Sequence, residues 1–176
     1  MSPKTSDRPP PAPGLQIDVV RREGVWPHEA VGDGSIARAL DAAFLAAGGS
    51  GACEVAVTLA GDEEVRSLNR EWRGKDAPTN VLSFPLDAPP PPGMARPLGD
   101  IVLAWETVQR EACGKGIPVA DHALHLCVHG LLHILGYDHG DDGEADRMER
   151  LETRILAGLG IADPYGLDET EAAGAA

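Results

Sequence analysis

Residues 118–139 read PVADHALHLCVHGLLHILGYDH, and their spacing decides the fold. Pro118 can open a helix, because its missing N–H falls among the donors that a first turn leaves unpaired. His122, His125, His129 and His133 follow at intervals of three, four and four residues. At about 100° per residue they share one face. Leu124, Val128, Leu131 and Leu135 fall on the other side and are expected in the core. Gly136 stops the helix, since glycine readily takes the left-handed conformation of a helix end. The turn "YDH" that follows can bring His139 back towards His129 and His133.

A half-buried helix of this length needs other elements to cover it, and the flanking sequence supplies them. "LQIDVV" (15–20) alternates and is β-branched, so it reads as a strand. "SIARALDAAFLAAG" (35–48) reads as a helix capped by Ser35, with Ile36, Leu40, Phe44 and Leu45 inward. "CEVAVTLA" (53–60) is a strand. Asp62 can cap a helix through "EEVRSLNREWR", whose apolar side is Val65, Leu68 and Trp72. "TNVLSF" (79–84) and "GDIVLAW" (99–105) are strands joined by the proline-rich surface loop "DAPPPPGMARP" (87–97), so that pair is expected to be antiparallel. "ETVQREACGKG" reads as a helix, and a last helix from about Asp142 to Leu159 carries the stripe Met148, Leu151, Ile155 and Leu159. Trp72 and Trp105 are both expected in the core. The order β-α-β-α-β-β-α-α-α specifies an α/β (α+β) fold: one domain, a small mixed sheet packed by helices, and the histidine site at the end of the long helix.

Composition narrows the class. The 176 residues include an ordinary 43% of hydrophobic types, enough for one core. Residues 1–14 are rich in proline and polar residues and read as a disordered arm, and 167–176 as a disordered acidic tail. The domain is therefore expected over 15–166. No apolar run follows the first lysine and arginine, so no signal peptide is expected. No segment approaches the roughly 18 apolar residues of a membrane span. Cys53, Cys113 and Cys127 are widely spaced and odd in number, which fits a reducing cytoplasm. The net charge of −13 argues against simple electrostatic capture of nucleic acid. Arg66, Arg70, Arg73 and Lys75 nevertheless form a local basic cluster, with the arginines at i, i+4 and i+7 of one helix. A guanidinium fork matches phosphate geometry and keeps its charge. A solvated basic face is the plainer reading of the same spacing.

His129 and His133, one turn apart, can grip one ion, and His139 would make a third ligand in the pattern H-x3-H-x5-H. Three imidazoles at about 2.0–2.1 Å leave the fourth position of a zinc ion open, which means bound water and catalysis rather than structure alone. Nickel or cobalt also fits three imidazoles. Asp138 or Asp141 can hold the second nitrogen of a ligand histidine. Three alternatives stand beside this. The histidines can simply be exposed near a helix end, helped by its dipole. A structural zinc site would want a fourth ligand, yet Cys127 lies about 200° round the helix from His129. His125 with His129 is a rival pair that leaves no nearby third ligand; His122 and His125 are instead expected to line the cleft. Zinc proteases share these registers in H-E-x-x-H-x-x-G-x-x-H, but Gly130 stands where their glutamate takes the water's proton. Phosphodiester hydrolysis suits the site better, because it demands charge stabilisation that cations supply.

Four stretches together carry a family likeness: "LNREWRGKDAPTNVLSF", "GDIVLAW", "HGLLHILGYDH" and "LETRILAGLGIADPY". In combination they resemble the YbeY-type rRNA maturation endoribonucleases over roughly residues 15–166. The resemblance implies that His129, His133 and His139 are zinc ligands and that Arg73 is the essential arginine. It implies a zinc-dependent, single-strand-specific endoribonuclease of 16S rRNA 3′-end maturation and ribosome quality control, in the cytoplasm, with the small ribosomal subunit or its proteins as partners. Arg66, Arg70, Lys75 and His125 would then contact RNA. The family's own motif carries glycine at the place of Gly130, and often aspartate at the place of Asn80. The alternative is a non-catalytic ribosome-assembly factor that binds rRNA or ribosomal proteins through a zinc-organised surface.

Overall fold

A computed structural model describes residues 11–90, 92–137 and 142–166. Alternation builds the sheet first. In β2 (Ala52–Ala60) Cys53, Val55, Val57 and Leu59 are buried on one face, while Glu54, Ala56 and Thr58 turn to the other, as the two-residue period of a strand requires. β1 (Gly14–Arg21) and β4 (Arg96–Ala104) run parallel to β2 on either side of it. β3 (Val81–Pro85) runs antiparallel to β4 and closes the order β1-β2-β4-β3. The mixed sheet and the antiparallel pair are those expected. The strand after the proline-rich loop begins three residues earlier than the sequence suggested, at Arg96.

Helices α1 (Asp33–Ala46) and α4 (Val119–Ile134) pack together on one face of the sheet, α3 (Trp105–Lys115) beside α4, and α5 (Asp142–Gly158) over α1 and α4. Their shared core includes Ile36, Leu40, Phe44, Leu131, Leu132, Met148 and Leu156, all essentially inaccessible to solvent; each such side chain contributes about 1.5–3 kcal/mol by burial. A smaller cluster on the other face joins Val65 of α2 (Asp62–Arg73) to Leu82 and Val102.

Four local expectations need correction. Ser35 lies inside the first turn of α1, which starts at Asp33 after Gly32. Leu45 is exposed, because the buried stripe of α1 runs through Ala39, Leu40, Ala43 and Phe44. Asp62 begins α2 but accepts from the backbone N–H and hydroxyl of Thr107, while Glu106 accepts from the Asp62 N–H at 2.8 Å. Each of the two helices thus caps the other's free donors. Trp72 is 66% exposed. Val65 and Asn69 take the buried positions of α2, and Trp72, in its last turn, meets Phe84 in a T-shaped ring contact with centroids 6.1 Å apart. Trp105 is part-buried against Trp26 at 4.9 Å, near its expected place.

Candidate metal centre

The end of α4 is fixed by its backbone. Gly136 takes φ +94° and donates its N–H to the His133 carbonyl, and the Tyr137 N–H reaches back to Leu132, both at 3.0 Å. This double closure satisfies carbonyls that a helix end leaves free and turns the chain sharply. His139, Asp138 and Asp141 lie just beyond it, outside the described residues.

The four histidines of α4 divide into two pairs. His122 is buried; its Nε2 lies 2.7 Å from Glu111 Oε2, which also accepts from the Asn80 amide at 3.0 Å. Burial pushes the His122 imidazole below its ordinary range, with Glu111 pulling the other way. His125 is tucked against Tyr165, with ring centroids 5.8 Å apart, and its side chain is only 13% exposed. Neither residue lines the cleft, contrary to expectation, because α3 and the segment bearing Tyr165 cover that end of the helix face.

His129 and His133 line the cleft, and their Nε2 atoms stand 3.0 Å apart. Two imidazole ligands of one tetrahedral zinc ion, each at about 2.0–2.1 Å, would lie about 3.3 Å apart. The residues therefore fit a shared ion with a small adjustment. The His129 Nδ1–H donates to Glu152 Oε1 at 2.7 Å, so the Nε2 lone pair is directed into the cleft.

Glu152 was not anticipated from the sequence. It comes from α5, is fully buried, and also accepts from the Tyr165 hydroxyl through Oε2. Burial alone would push its carboxyl up; His125, His129 and Tyr165 outweigh burial and hold it at about 2. Burial, then Glu152 itself, pushes the Tyr165 phenol up. The signal was present: Glu152 sits at i+4 from Met148 and three before Ile155, a charged residue on an apolar stripe. His125, His129 and Glu152 each offer a ligand atom within 4.8 Å of the others, a group that could hold a metal ion. The rival pair His125–His129 thus has a third neighbour after all. Cys127 is buried elsewhere, its thiol pushed up to about 12 by burial.

Across from His129 and His133 stands the edge strand β3. A cleft of about 550 Å³ separates them, lined by Arg73, Asn80, Val81, Ser83 and Pro85 on one side and by His129, His133, Gly136 and Tyr137 on the other. Arg73 reaches it because Gly74, at φ +68°, ends α2 there and the Asn69 amide pins the following loop at the Ala77 carbonyl. Arg73 Nη2 touches the Ser83 carbonyl at 3.5 Å. Arg73, His129 and His133 therefore line one cleft. Arg66 and Arg70 are not free cations: Arg66 makes a two-pronged pair with Asp76 at 2.8 and 2.9 Å, and Arg70 approaches the same carboxylate at 3.7 Å. The Arg66 guanidinium holds the Asp76 carboxyl below its usual range. Lys75 is exposed beside them.

Gly130 faces the sheet. A Cβ placed on it would lie 3.0 Å from Ser83 Oγ and 3.1 Å from Ile101 Cγ2. The glutamate of a zinc protease has no room at this position.

A family model described as Endoribonuclease YbeY matches residues 30–160. A protein of Alkalilimnicola ehrlichii named Endoribonuclease YbeY is 50% identical over 165 residues, covering 90% of this chain and 95% of its own. One of Parvibaculum lavamentivorans with the same name is 48% identical over 163 residues, covering 88% and 87%. Among solved structures, the solution structure of TM1509 from Thermotoga maritima has a TM-score of 0.51 at 21% identity, covering 86% of this chain and 98% of that one. That likeness is one of fold.

Proposed function

We propose an activity from one premise: this chain belongs to the YbeY endoribonuclease family. It is a metal-dependent endoribonuclease that cuts single-stranded RNA, with residues 15–166 as its catalytic domain. The observation that carries this reading is the pairing of His129 and His133 with Arg73 across one cleft. His129, His133 and His139 would hold the metal, zinc before nickel or another divalent ion. When bound, the metal supplies positive charge and an activated water to the phosphodiester.

The chain's own residues do the rest. Arg73 holds phosphate oxygens opposite the histidines and offsets the charge that develops on them. Gly130 offers no base, so charge stabilisation rather than proton abstraction is the protein's larger contribution. Exposed Trp72, next to Arg73 in sequence, offers a stacking face and exposed Lys75 a cation, which single-stranded RNA can use. Arg66 binds RNA by exchanging Asp76 for phosphate, whereas Arg70, 3.7 Å from the same carboxylate and exposed, keeps donors for it.

The substrate is the unprocessed 3′ end of 16S rRNA, met on or near the small ribosomal subunit, and the setting is the cytoplasm during ribosome maturation and quality control. Among the described residues no helix is long and apolar enough to cross a membrane.

The test is cleavage of a single-stranded RNA carrying that end by zinc-loaded protein, beside folded His133→Ala and Arg73→Ala. Loss of cutting in both variants supports the reading. RNA binding without turnover by wild type would favour the assembly-factor alternative.

A further inference from the structure

The stretch "LETRILAGLGIADPY" (151–165) has no part in the chemistry described so far, yet its polar residues converge on the metal centre. Glu152 has no exposed surface, although α5 could have carried an apolar residue in its place. Its Oε1 takes the His129 Nδ1–H at 2.7 Å and its Oε2 takes the Tyr165 hydroxyl. Tyr165 is braced in turn. Asp163 Oδ1 accepts from the Thr153 hydroxyl at 3.1 Å and from the Tyr165 backbone N–H at 3.0 Å, which folds the segment after α5 back onto that helix.

We infer that Glu152 is a positioning residue for the metal centre and that Tyr165, held by Asp163 and Thr153, locks it in place. This rests on the cleft-side reading of the metal site proposed above. Geometry argues against Glu152 as a ligand. Both of its oxygens are engaged by protein donors, and it faces the nitrogen of His129 that points away from the cleft. A metal held by His125, His129 and Glu152 would have to displace the His129 Nδ1 proton and would sit behind the cleft, whose lining includes neither His125 nor Glu152. A carboxylate behind a ligand histidine instead selects its tautomer, fixes the ring and makes it a better donor. The segment after α5 thereby becomes the outer brace of the site.

The test measures metal affinity by chelator competition for wild type, Glu152→Gln, Tyr165→Phe and His133→Ala, with the cobalt-loaded absorption spectrum of each. Glu152→Gln keeps shape and an acceptor, and Tyr165→Phe removes one hydroxyl, so both are expected to fold; melting of the metal-free proteins checks this. The expectation for Glu152→Gln is one ion per chain, an unchanged cobalt spectrum, and affinity lower by about 10- to 100-fold. Tyr165→Phe should shift affinity the same way by less. Wild-type affinity in Glu152→Gln, or lost stoichiometry with an altered cobalt spectrum, overturns the inference, the latter making Glu152 a ligand. Undiminished binding by His133→Ala, or none by wild type, would instead sink the cleft-side metal site on which the inference stands.

Discussion

Replacing Gly130 tests the packing that shapes the site. Alanine favours a helix interior over glycine by about 1 kcal/mol, so on propensity alone Gly130→Ala should stabilise α4. The structure opposes this. The new methyl would lie 3.0 Å from Ser83 Oγ and 3.1 Å from Ile101 Cγ2, and Ile101 is fully buried in the inner strand β4. Ser83 can turn its hydroxyl, but Ile101, packed on all sides, has little space to yield. Overpacking of this kind costs about 1–3 kcal/mol, which leaves a net loss of about 1 kcal/mol. For a chain of this length that is a fall of about 2–4 °C in Tm. Gly130→Glu, which would complete the protease motif, adds a buried carboxylate without a partner and should lose more than about 3 kcal/mol, with no gain of peptidase activity. Thermal and urea unfolding of metal-free protein measure both. An alanine variant about 1 kcal/mol more stable than wild type would refute the close approach of α4 to the sheet.

Arg73→Ala should lower RNA cleavage by about 100- to 1,000-fold, the range for losing one donor to a developing charge, with metal affinity unchanged and Arg73→Lys recovering part of the rate. Trp72→Ala should weaken single-stranded RNA binding by roughly 5- to 150-fold through lost stacking while leaving kcat near wild type; the quenching of exposed tryptophan fluorescence on RNA binding should vanish with it. His122 is buried with its imidazole held below the ordinary range. Its neutral form is the folded one, so its contribution is present above about pH 6.5 and is lost as pH falls towards the lower folded value. Urea titrations from pH 7 to 5 should therefore show a smaller loss of stability in His122→Gln than in wild type. Chelation should lower the Tm of wild type, because a ligand bound only to the folded state stabilises it, and should leave the Tm of His133→Ala nearly unmoved.

Much of this architecture was legible because period and punctuation agree. Alternation marks β1 and β2, and Pro118 and Gly136 bracket the histidine helix. The histidine pair was legible for the same reason: residues four apart on a helix must meet. What failed depended on contacts between elements. Trp72 is exposed because α2 turns Val65 and Asn69 inward, a rotation that spacing along α2 cannot reveal. The pairing of Arg66 and Arg70 with Asp76 depends on the loop that Asn69 pins. Glu152 looked like surface charge by type, and only the packing of α5 on α4 makes it a partner of His129. His122 and His125 shared a face with the other histidines, but a helix face is not a uniform environment when separate neighbours cover its two ends.

Gly130 links the missing base to the arginine. A side chain there would hold α4 off the sheet. Without one, α4 settles against Ser83 and Ile101, and β3 comes close enough to form the opposite wall of the cleft. Arg73 rests on that wall, in contact with the Ser83 carbonyl. A helix lifted to admit glutamate would carry His129 and His133 away from Arg73. The same glycine thus removes the proton acceptor a peptidase needs and brings Arg73 towards His129 and His133. A site assembled this way suits a substrate that carries its own negative charge, whose reaction is limited by offsetting that charge. An RNA phosphodiester is such a substrate, and Gly130 suits histidines spaced as in a peptidase to that different chemistry.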